Sequence, residues 1–347
     1  MARVVVATSG QPFGEGGHLV VVRSLVQALR EAGHDAEAMV TPQNRFGRQA
    51  AAYLATWLTD VGQAQDGSRI DQVISFRFPS YALRHPAHVC WLNHRMREYY
   101  DLWEQFHAGL SPAQRVKEGI RRRLIHAADR WLLTRNVRRV FAQSRTIQKR
   151  LEQFGGVPSE VLYPPPPPRP YRCDGYGDHL FAVSRLTRLK RLDLLVRALA
   201  RPEATNVRCV IAGDGEMRGE LDGLVRSLGL EGRVRLIGSV DSAQLVEQLA
   251  TCRAVCFPAY DEDFGFVTVE AFAAHKAVVT CTDSGGPAEL VRDGVEGYVT
   301  APTPDALAPA LARLADDRQL AGEMGEAGYR AVSAMTWAGV VERLVIV

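Results

Sequence analysis

Short apolar runs alternate with amphipathic segments along the whole chain. The run RVVVAT near the start is followed by HLVVVRSLVQALREAG, whose apolar residues recur with the 3.6-residue period of a helix, and then by AEAMV. Later apolar runs are DQVISF, HVCWLN, RRVFAQ, EVLY, HLFAVSRL, VRCVIAGDGE, VRLIG, AVCFPA and AVVTCTD. This alternation predicts parallel strands joined by crossover helices, so the fold class is α/β with doubly wound sheets.

Five consecutive prolines, 164 to 168, interrupt the alternation. Proline is excluded from helix interiors and central strands and favours an extended segment, so the run predicts a domain junction. A chain of 347 residues also exceeds one ordinary hydrophobic core. We therefore expect two Rossmann-like domains, residues 1–165 and 166–335, that face a central cleft. Residues 336–347 are expected to form a C-terminal helix that can cross back to the first domain.

Composition is that of a folded globular protein, with 46% hydrophobic and 23% charged residues. No run reaches the roughly 18 apolar residues of a transmembrane helix. The N-terminal run leads directly into a glycine-rich loop, which favours a buried strand over a signal peptide and predicts a cytoplasmic location. The six cysteines are scattered without metal-ligand spacing, and we expect them to be reduced core residues.

Charge is distributed unevenly along the chain. Residues 1–165 carry 22 Lys and Arg against 14 Asp and Glu, an excess of 8 positive charges, whereas the whole chain has a net charge of +3. A basic first half suggests an anionic partner, such as a lipid surface or a phosphorylated acceptor. Nucleic acid is disfavoured, because few aromatic residues are interleaved as stacking platforms. A homo-oligomer is compatible with the sequence, but no pattern specifies one.

Residues 111–139 concentrate this positive charge, with nine Arg and Lys against two acidic residues. Leucine, isoleucine and tryptophan are interspersed among the cations. A basic helix of this kind can rest on anionic lipid, which predicts a peripheral membrane contact at the inner face of the membrane. The alternative is a set of ordinary solvated helix faces.

The segment SGQPFGEGGHLV, residues 9–20, lies between the first predicted strand and the first predicted helix. Glycines at such a junction let backbone N–H groups and the helix N-terminus approach an anion. The dinucleotide fingerprint is not met, because Leu19 occupies the third glycine position after Gly14 and Gly16. The segment predicts a phosphate-facing loop, and a plain tight turn is the alternative.

Two cations follow a predicted strand in the second half, in VSRLTRLKRLD. Arg185 and Lys190 stand just before the next helix, where cations and a helix N-terminus can neutralise a diphosphate and stabilise it as a leaving group. The alternative is a solvated basic loop.

The segment YDEDFGFVTVE, residues 260–270, places two glutamates eight positions apart. Glu262 falls in a predicted turn and Glu270 in the helix that follows. Carboxylates suit the vicinal hydroxyl groups of a sugar or ribose, because each oxygen accepts hydrogen bonds. Backbone N–H groups near Phe264 and Gly265 can add donors. Two solvated glutamates are the alternative.

These motifs together resemble family 4 of the retaining glycosyltransferases, which have the GT-B fold. The resemblance is carried by EDFGFVTVEAF followed by DSGGPAEL, with SRLTRLKR, GDGE and the glycine loop, and it extends over nearly the whole chain. It implies that Glu262 lies by the donor sugar and that Glu270 binds the ribose. The other roles it implies are diphosphate binding by Arg185 and Lys190, donor or acceptor contact by Gly16 and Gly17, and nucleobase contact by Gly238 and Val240.

Asp263 and His94 bear on metal binding and on the donor sugar within this resemblance. Asp263 stands where the family has glycine and creates the acidic triplet 261–263, which superficially matches the metal-binding motif of a different glycosyltransferase fold. Because the triplet falls at a turn, we expect no metal and consider instead an effect on which sugar hydroxyl is recognised. His94, in CWLNHRMREYYDLW, resembles a histidine placed near the donor sugar, and a structural histidine is the alternative.

The resulting hypothesis is a metal-independent, retaining glycosyltransferase without a resident cofactor. Its co-substrate would be a UDP- or GDP-linked sugar, and its acceptor a hydroxyl group in cell-envelope, glycolipid, polysaccharide or natural-product glycosylation. As no second carboxylate is evident as a nucleophile, the resemblance implies front-face attack. The rivals are a nucleotide-sugar epimerase of the same fold and a non-catalytic binding module. Sugar, base and acceptor depend on pocket shape, which these motifs do not define.

Overall fold

The structure is a computed structural model that describes residues 1–11, 17–43 and 46–347. The chain divides into two compact units. The N-terminal unit consists of Met1–Pro164 together with Thr336–Val347, and the C-terminal unit is Pro165–Met335. The boundary between them lies within the proline run.

The N-terminal unit is built on a six-stranded, fully parallel sheet with strand order β2-β1-β3-β4-β5-β6. The strands are β1 (Arg3–Gly10), β2 (Asp35–Pro42), β3 (Gln72–Arg77), β4 (His88–His94), β5 (Arg139–Ala142) and β6 (Glu160–Val161). The helices are α1 (Gly17–Glu31), α2 (Gln49–Leu58), α3 (Trp103–Ala108), α4 (Pro112–Trp131) and α5 (Arg145–Gln153). Every residue of β3 except Arg77 is buried, as expected for a parallel strand covered on both faces.

The C-terminal unit repeats this architecture with strand order β12-β11-β10-β7-β8-β9, again fully parallel. The strands are β7 (His179–Val183), β8 (Arg208–Ala212), β9 (Val234–Gly238), β10 (Ala254–Cys256), β11 (Val278–Cys281) and β12 (Gly297–Thr300). The helices are α6 (Leu192–Leu199), α7 (Arg218–Ser227), α8 (Ser242–Thr251), α9 (Phe266–Ala273), α10 (Gly286–Leu290), α11 (Pro304–Asp316) and α12 (Arg318–Ser333). The predicted fold class, two doubly wound α/β domains, is confirmed.

The last helix, α13 (Trp337–Leu344), packs with the N-terminal unit. Its fully buried Leu344 accepts a hydrogen bond of 2.6 Å at its carbonyl from the Gln72 side chain of β3, and the same side chain accepts one of 2.9 Å from Ile346 N–H. Trp337 meets Trp91 edge-on, with ring centroids 6.2 Å apart. The C-terminal segment is thereby joined to the middle of the first sheet.

Five of the six cysteines are buried and all six are free thiols. Cys173 is the exception to the expectation of core cysteines, because it is exposed. It lies in the extended segment between the proline run and β7, whereas four of the other five lie in strands and Cys252 directly follows α8. Within the part of the chain that the structure describes, no helix has both the length and the apolar character needed to cross a bilayer.

Candidate functional site

In the C-terminal sheet, the chain order reverses between β7 and β10. From β7 the strands run outward to β8 and β9, and from β10 they run in the other direction to β11 and β12. The loops that leave the carboxyl ends of two such strands diverge, and they form the crevice where doubly wound folds bind ligands. Arg185 and Lys190 follow β7, whereas Glu262 follows β10. Topology therefore brings both predicted motifs to the same crevice.

Lys190 and Glu262 form a mostly buried ion pair, with 2.5 Å between Nζ and Oε2. Lys190 ends a short 3-10 turn, and the N–H of Tyr260 donates to the carbonyl of Leu189 at 2.7 Å, which ties the two loops together. Lys190 Nζ also lies 5.3 Å from the centroid of the Phe257 ring. The ammonium group is thus held at the crevice by contacts with the segment that follows β10.

The turn that carries Glu262 depends on a close backbone approach by the DSGGPAEL segment. Glu262 N–H donates to the Ser284 carbonyl at 2.9 Å, and Gly286 N–H donates to the Glu262 carbonyl at 2.8 Å. A Cβ on Gly286 would lie 2.5 Å from the backbone of Phe264, which explains why glycine stands there. Gly265 immediately precedes α9 and has a φ of 79°. This left-handed backbone conformation favours glycine.

Glu270 lies on α9 and is buried. Its Oε1 accepts a hydrogen bond of 3.1 Å from the Tyr171 hydroxyl and also pairs with the guanidinium of Arg169. Burial raises the pKa of the Glu270 carboxyl, and the Arg169 charge acts in the opposite direction. Oε1 is therefore committed to the protein, while the other oxygen can accept from a ligand hydroxyl.

Arg169 and Tyr171 were missed by the sequence analysis, which interpreted the surrounding segment only as a junction. The available signal was PRPYR, an arginine and a tyrosine directly after the proline run. A stiff proline-rich segment can present such side chains at fixed positions. The junction thus contributes side chains to the candidate site of the C-terminal unit.

Arg191 was also missed, although it follows Lys190 directly. It adopts a left-handed conformation with φ of 48° and forms a bidentate pair with Asp283, at 2.8 and 2.6 Å. Its Nε donates to the Pro258 carbonyl at 2.8 Å, so one side chain braces the loops after β7, β10 and β11. The brace holds the backbone that positions Lys190.

The remaining C-terminal candidates lie along the same sheet edge. Arg185 is exposed, and its guanidinium has no ion-pair partner among the described residues. Gly238 ends β9 with φ of 78°, and its carbonyl accepts from Gly213 N–H at 2.7 Å. Val240 is half-buried in the loop before α8, and Phe264 is buried against Phe266 with ring centroids 5.0 Å apart.

The N-terminal unit holds the other predicted residues. His94 ends β4, is half-buried, and has Nδ1 2.7 Å from the carbonyl oxygen of Arg95. Gly17 is exposed and begins α1, the first helix after β1. Gly16 lies outside the described residues. Across residues 1–11, 17–43 and 46–347, no three His, Cys, Asp or Glu side chains converge as a metal site.

Comparison with solved structures defines the class of fold. Sucrose-phosphate synthase from Thermosynechococcus elongatus superposes with a TM-score of 0.75 at 18% identity, covering 99% of this chain and 97% of that one. Anabaena HepE in complex with UDP and glucose superposes with a TM-score of 0.68 at 18% identity, covering 98% of both chains. The chain therefore has the GT-B fold of these glycosyltransferases.

Sequence comparison adds a family for part of the chain. Residues 176–331, all within the C-terminal unit, match the family described as Glycosyl transferases group 1. The D-inositol 3-phosphate glycosyltransferase of Thermobifida fusca is 33% identical over 177 residues, 48% of this chain and 41% of the relative. The alpha-D-kanosaminyltransferase of Streptomyces kanamyceticus is 31% identical over 148 residues, 42% of this chain and 38% of the relative. This chain covers less than half of the length of each of these relatives.

Proposed function

We propose that this protein is a glycosyltransferase that moves a sugar from a nucleotide-diphosphate donor to a hydroxyl acceptor with retention of configuration. The observation that carries the proposal is the Lys190–Glu262 pair at the crevice of a unit that matches group 1 glycosyl transferases. Glu270, on the helix that follows the same turn, would receive the ribose hydroxyls. The N-terminal unit would bind the acceptor.

The charges at this crevice suit departure of a nucleoside diphosphate. When the bond between the anomeric carbon and the phosphate oxygen breaks, negative charge develops on the diphosphate. Lys190 and the exposed Arg185 can stabilise this charge, and preorganised cations of this kind favour the transition state. Glu262 holds the Lys190 ammonium before the donor binds and then orients the sugar through its hydroxyl groups.

For retention, we propose front-face attack. The acceptor oxygen approaches the anomeric carbon from the side of the departing phosphate oxygen, which takes the proton of the acceptor hydroxyl. Glu262 is already paired with a cation, which suits an orienting role better than that of a nucleophile. His94, at the carboxyl edge of the first sheet, would contact the donor sugar. The reaction is proposed to need no metal ion.

A UDP-linked sugar is the first donor to test, with GDP-linked sugars as the alternative. HepE, of the same fold, is described in complex with UDP-glucose. The acceptor is proposed to be anionic or lipid-linked, because the first half of the chain carries an excess of positive charge. Peripheral membrane contact through residues 111–139, at the cytoplasmic face, belongs to the same proposal.

The test is a thermal-shift screen against UDP, GDP, ADP and dTDP and their sugars, with and without EDTA. A ligand at a hundredfold excess over its Kd stabilises the folded protein by about 2.7 kcal/mol. We expect one nucleotide to raise the melting temperature whether or not EDTA is present. If no nucleotide does, the donor site proposed here is wrong.

Sugar transfer is then measured with that donor and a panel of hydroxyl acceptors. We expect Lys190→Met to lower the rate about 10²- to 10³-fold, because one preorganised positive charge is lost from the transition state. The matched control is Arg188→Met, two positions earlier, where the side chain is exposed and pairs only with Glu220. Conversion of the donor to its epimer without acceptor would instead identify an epimerase.

A further inference from the structure

Helix α4 directs both of its acidic side chains toward the protein interior. Asp129 is fully buried and accepts hydrogen bonds of 2.6 Å from the Tyr81 hydroxyl and 2.7 Å from the Tyr100 hydroxyl. Glu118, also buried, accepts one of 2.8 Å from the Tyr99 hydroxyl. A surface helix ordinarily turns its apolar stripe inward, whereas two of the three buried residues of α4 are acidic and only Ile125 is apolar.

The outward face of α4 is correspondingly apolar. Val116, Ile120 and Leu124 recur at four-residue spacing and are 67%, 56% and 66% exposed. Trp131, at the end of the helix, is about half exposed. These four apolar side chains therefore do not belong to the hydrophobic core of the N-terminal unit. A contiguous exposed apolar surface of this kind marks an interaction site.

The charges on this outward face have a single sign. Glu118 and Asp129 are the only acidic residues of α4, and both are withdrawn to the inner face. The exposed charged side chains of α4 are Arg115, Lys117, Arg123 and Arg130, all of them cations. An apolar face bordered only by cations is complementary to an anionic lipid surface.

A groove between α2 and α4 deepens this face, with a volume of about 600 Å³. Leu54 and Trp57 line it from α2, and Ile120 and Leu124 line it from α4. Trp57 and Trp131 meet at one end, with ring centroids 5.4 Å apart. The lining of the groove is predominantly apolar, but it includes two cationic side chains, Lys117 and Arg121.

We propose that the groove between α2 and α4 binds one hydrocarbon chain of an anionic membrane lipid, while the cations of α4 contact its phosphate. This inference goes further than a surface contact by residues 111–139, because it assigns a site for an individual chain. It does not depend on the donor site of the C-terminal unit.

The position of the groove suits docking rather than acceptor binding. Four exposed arginines, Arg130, Arg135, Arg138 and Arg139, line a second pocket beside Trp131, at the amino end of β5, and Arg139 pairs there with Glu160. His94 and Gly17 lie at the opposite, carboxyl edge of the same sheet. Arg130 belongs to α4, so a lipid phosphate that it contacts lies at the sheet edge away from the predicted reactive groups of this unit.

The groove contains its own fluorescence reporters, Trp57 and Trp131. We would mix the full-length protein with vesicles of equal parts phosphatidylglycerol and phosphatidylcholine, in which the acyl chains carry bromine. Bromine quenches tryptophan at short range. We expect quenching by these vesicles and at least tenfold weaker binding to vesicles of phosphatidylcholine alone. Replacing Trp57 and Trp131 with phenylalanine should remove most of the quenching.

Leu124→Asp is the variant that tests the groove, and because Leu124 is exposed, the substitution should leave the fold intact. It should lower vesicle affinity more than tenfold and remove the quenching. Val295→Asp is the matched control, since it adds the same charge at another exposed apolar residue, in the C-terminal unit. Each of Arg123→Gln and Arg130→Gln should cost about fivefold in affinity. The nucleotide thermal shift, measured in parallel, reports separately on the donor site.

Three results would overturn the proposal. Vesicle binding without quenching would mean a surface contact that leaves the groove unused. Equal losses in Leu124→Asp and Val295→Asp would mean that the added charge, not the groove, is responsible. Absence of vesicle binding together with self-association that Leu124→Asp abolishes would assign the groove to a second copy of this chain.

Discussion

Glu270 takes both of its side-chain partners from residues about one hundred positions earlier in the chain, Arg169 and Tyr171. A buried carboxylate needs such partners, because loss of solvation favours its neutral form. The pKa of Glu270 is raised by burial despite the nearby Arg169 charge. Arg169 is therefore expected to keep Glu270 ionised, the state in which its free oxygen can accept from a ribose hydroxyl.

Arg169→Met tests this role. Without the positive charge, burial raises the pKa of Glu270 further, so the carboxyl gains a proton at a higher pH than in the wild-type protein. Because a protonated carboxyl accepts fewer hydrogen bonds, we expect UDP affinity in the variant to fall about tenfold per pH unit below the new pKa. The measurement is UDP titration calorimetry from pH 5.5 to 8.

Tyr171→Phe provides the control, because it removes a hydrogen bond to the same oxygen but leaves the charge. It should lower UDP affinity by a similar factor, about fivefold, at every pH. Parallel pH profiles for the wild-type protein and Arg169→Met would contradict a role for Arg169 in holding Glu270 ionised.

At the scale of the element, α4 owes its orientation to a buried polar cluster. Asp129 accepts hydrogen bonds from tyrosines in three other segments, Tyr53 on α2, Tyr81 after β3 and Tyr100 before α3. Arg95 packs over the Tyr100 ring at 3.8 Å from its centroid. These contacts fix which face of α4 points inward, and they leave the apolar face outside.

Asp129→Asn should change how stability depends on pH. Burial raises the pKa of Asp129, opposed by Arg95 and by the tyrosine hydroxyls. Folding thus raises the pKa of Asp129 above its unfolded value of 3.8. Protonation of Asp129 contributes stability below pH 3.8, and this contribution is lost as pH rises through the folded pKa. Asparagine does not titrate, so the variant should gain stability relative to the wild-type protein as pH rises.

The size of this relative gain is about 1.4 kcal/mol for each unit by which folding raises the pKa. Urea unfolding at several values between pH 4.5 and 7.5 measures it. Asp66→Asn is the control, since hydrogen bonds from Ser68 lower the pKa of this exposed carboxyl, so it titrates below the measured range and its stability difference from wild type should stay constant there. A constant difference between wild-type and Asp129→Asn across this range would mean that Asp129 does not titrate there.

At the scale of the whole molecule, the chain returns to its first unit at its C-terminus. Residues 336–347 cluster with residues 1–164, although the complete C-terminal unit intervenes in sequence. Leu344 is fully buried there and its carbonyl is bonded by Gln72 of β3. The stability of the N-terminal sheet should therefore depend on a helix that follows the C-terminal unit in the sequence.

Leu344→Ala tests this dependence. Truncating a fully buried leucine removes apolar contacts and leaves a cavity, which should lower the free energy of unfolding of the N-terminal unit by about 2 to 5 kcal/mol. Hydrogen exchange followed by mass spectrometry should show reduced protection in β1 and β3, with β7 and β10 unchanged. Val347→Ala, at an exposed position, should leave all four strands as they are. Equal loss of protection in both units would show that they unfold together.

Much of the architecture could be predicted from the pattern of residues. The apolar runs DQVISF and AVVTCTD cover all of β3 except Arg77 and all of β11, and the division into units falls within the proline run. Of the candidate site, Lys190 and Glu262 were singled out from short motifs and meet in the structure. Arg169, Tyr171 and Arg191 were not, because a local pattern such as PRPYR does not specify which distant carboxylate an arginine or tyrosine reaches.

The sequence by itself determined the alternation of strands and helices, the junction and the residue types at the crevice. These follow from periodicity, proline geometry and spacing, which act between residues a few positions apart. Only the tertiary structure decided that Arg169 and Tyr171 reach Glu270, that α13 supports the first sheet, and that α4 turns its apolar face outward. Those outcomes depend on which distant groups can satisfy a buried charge or fill a core, and neighbouring residues in the sequence do not specify such partners.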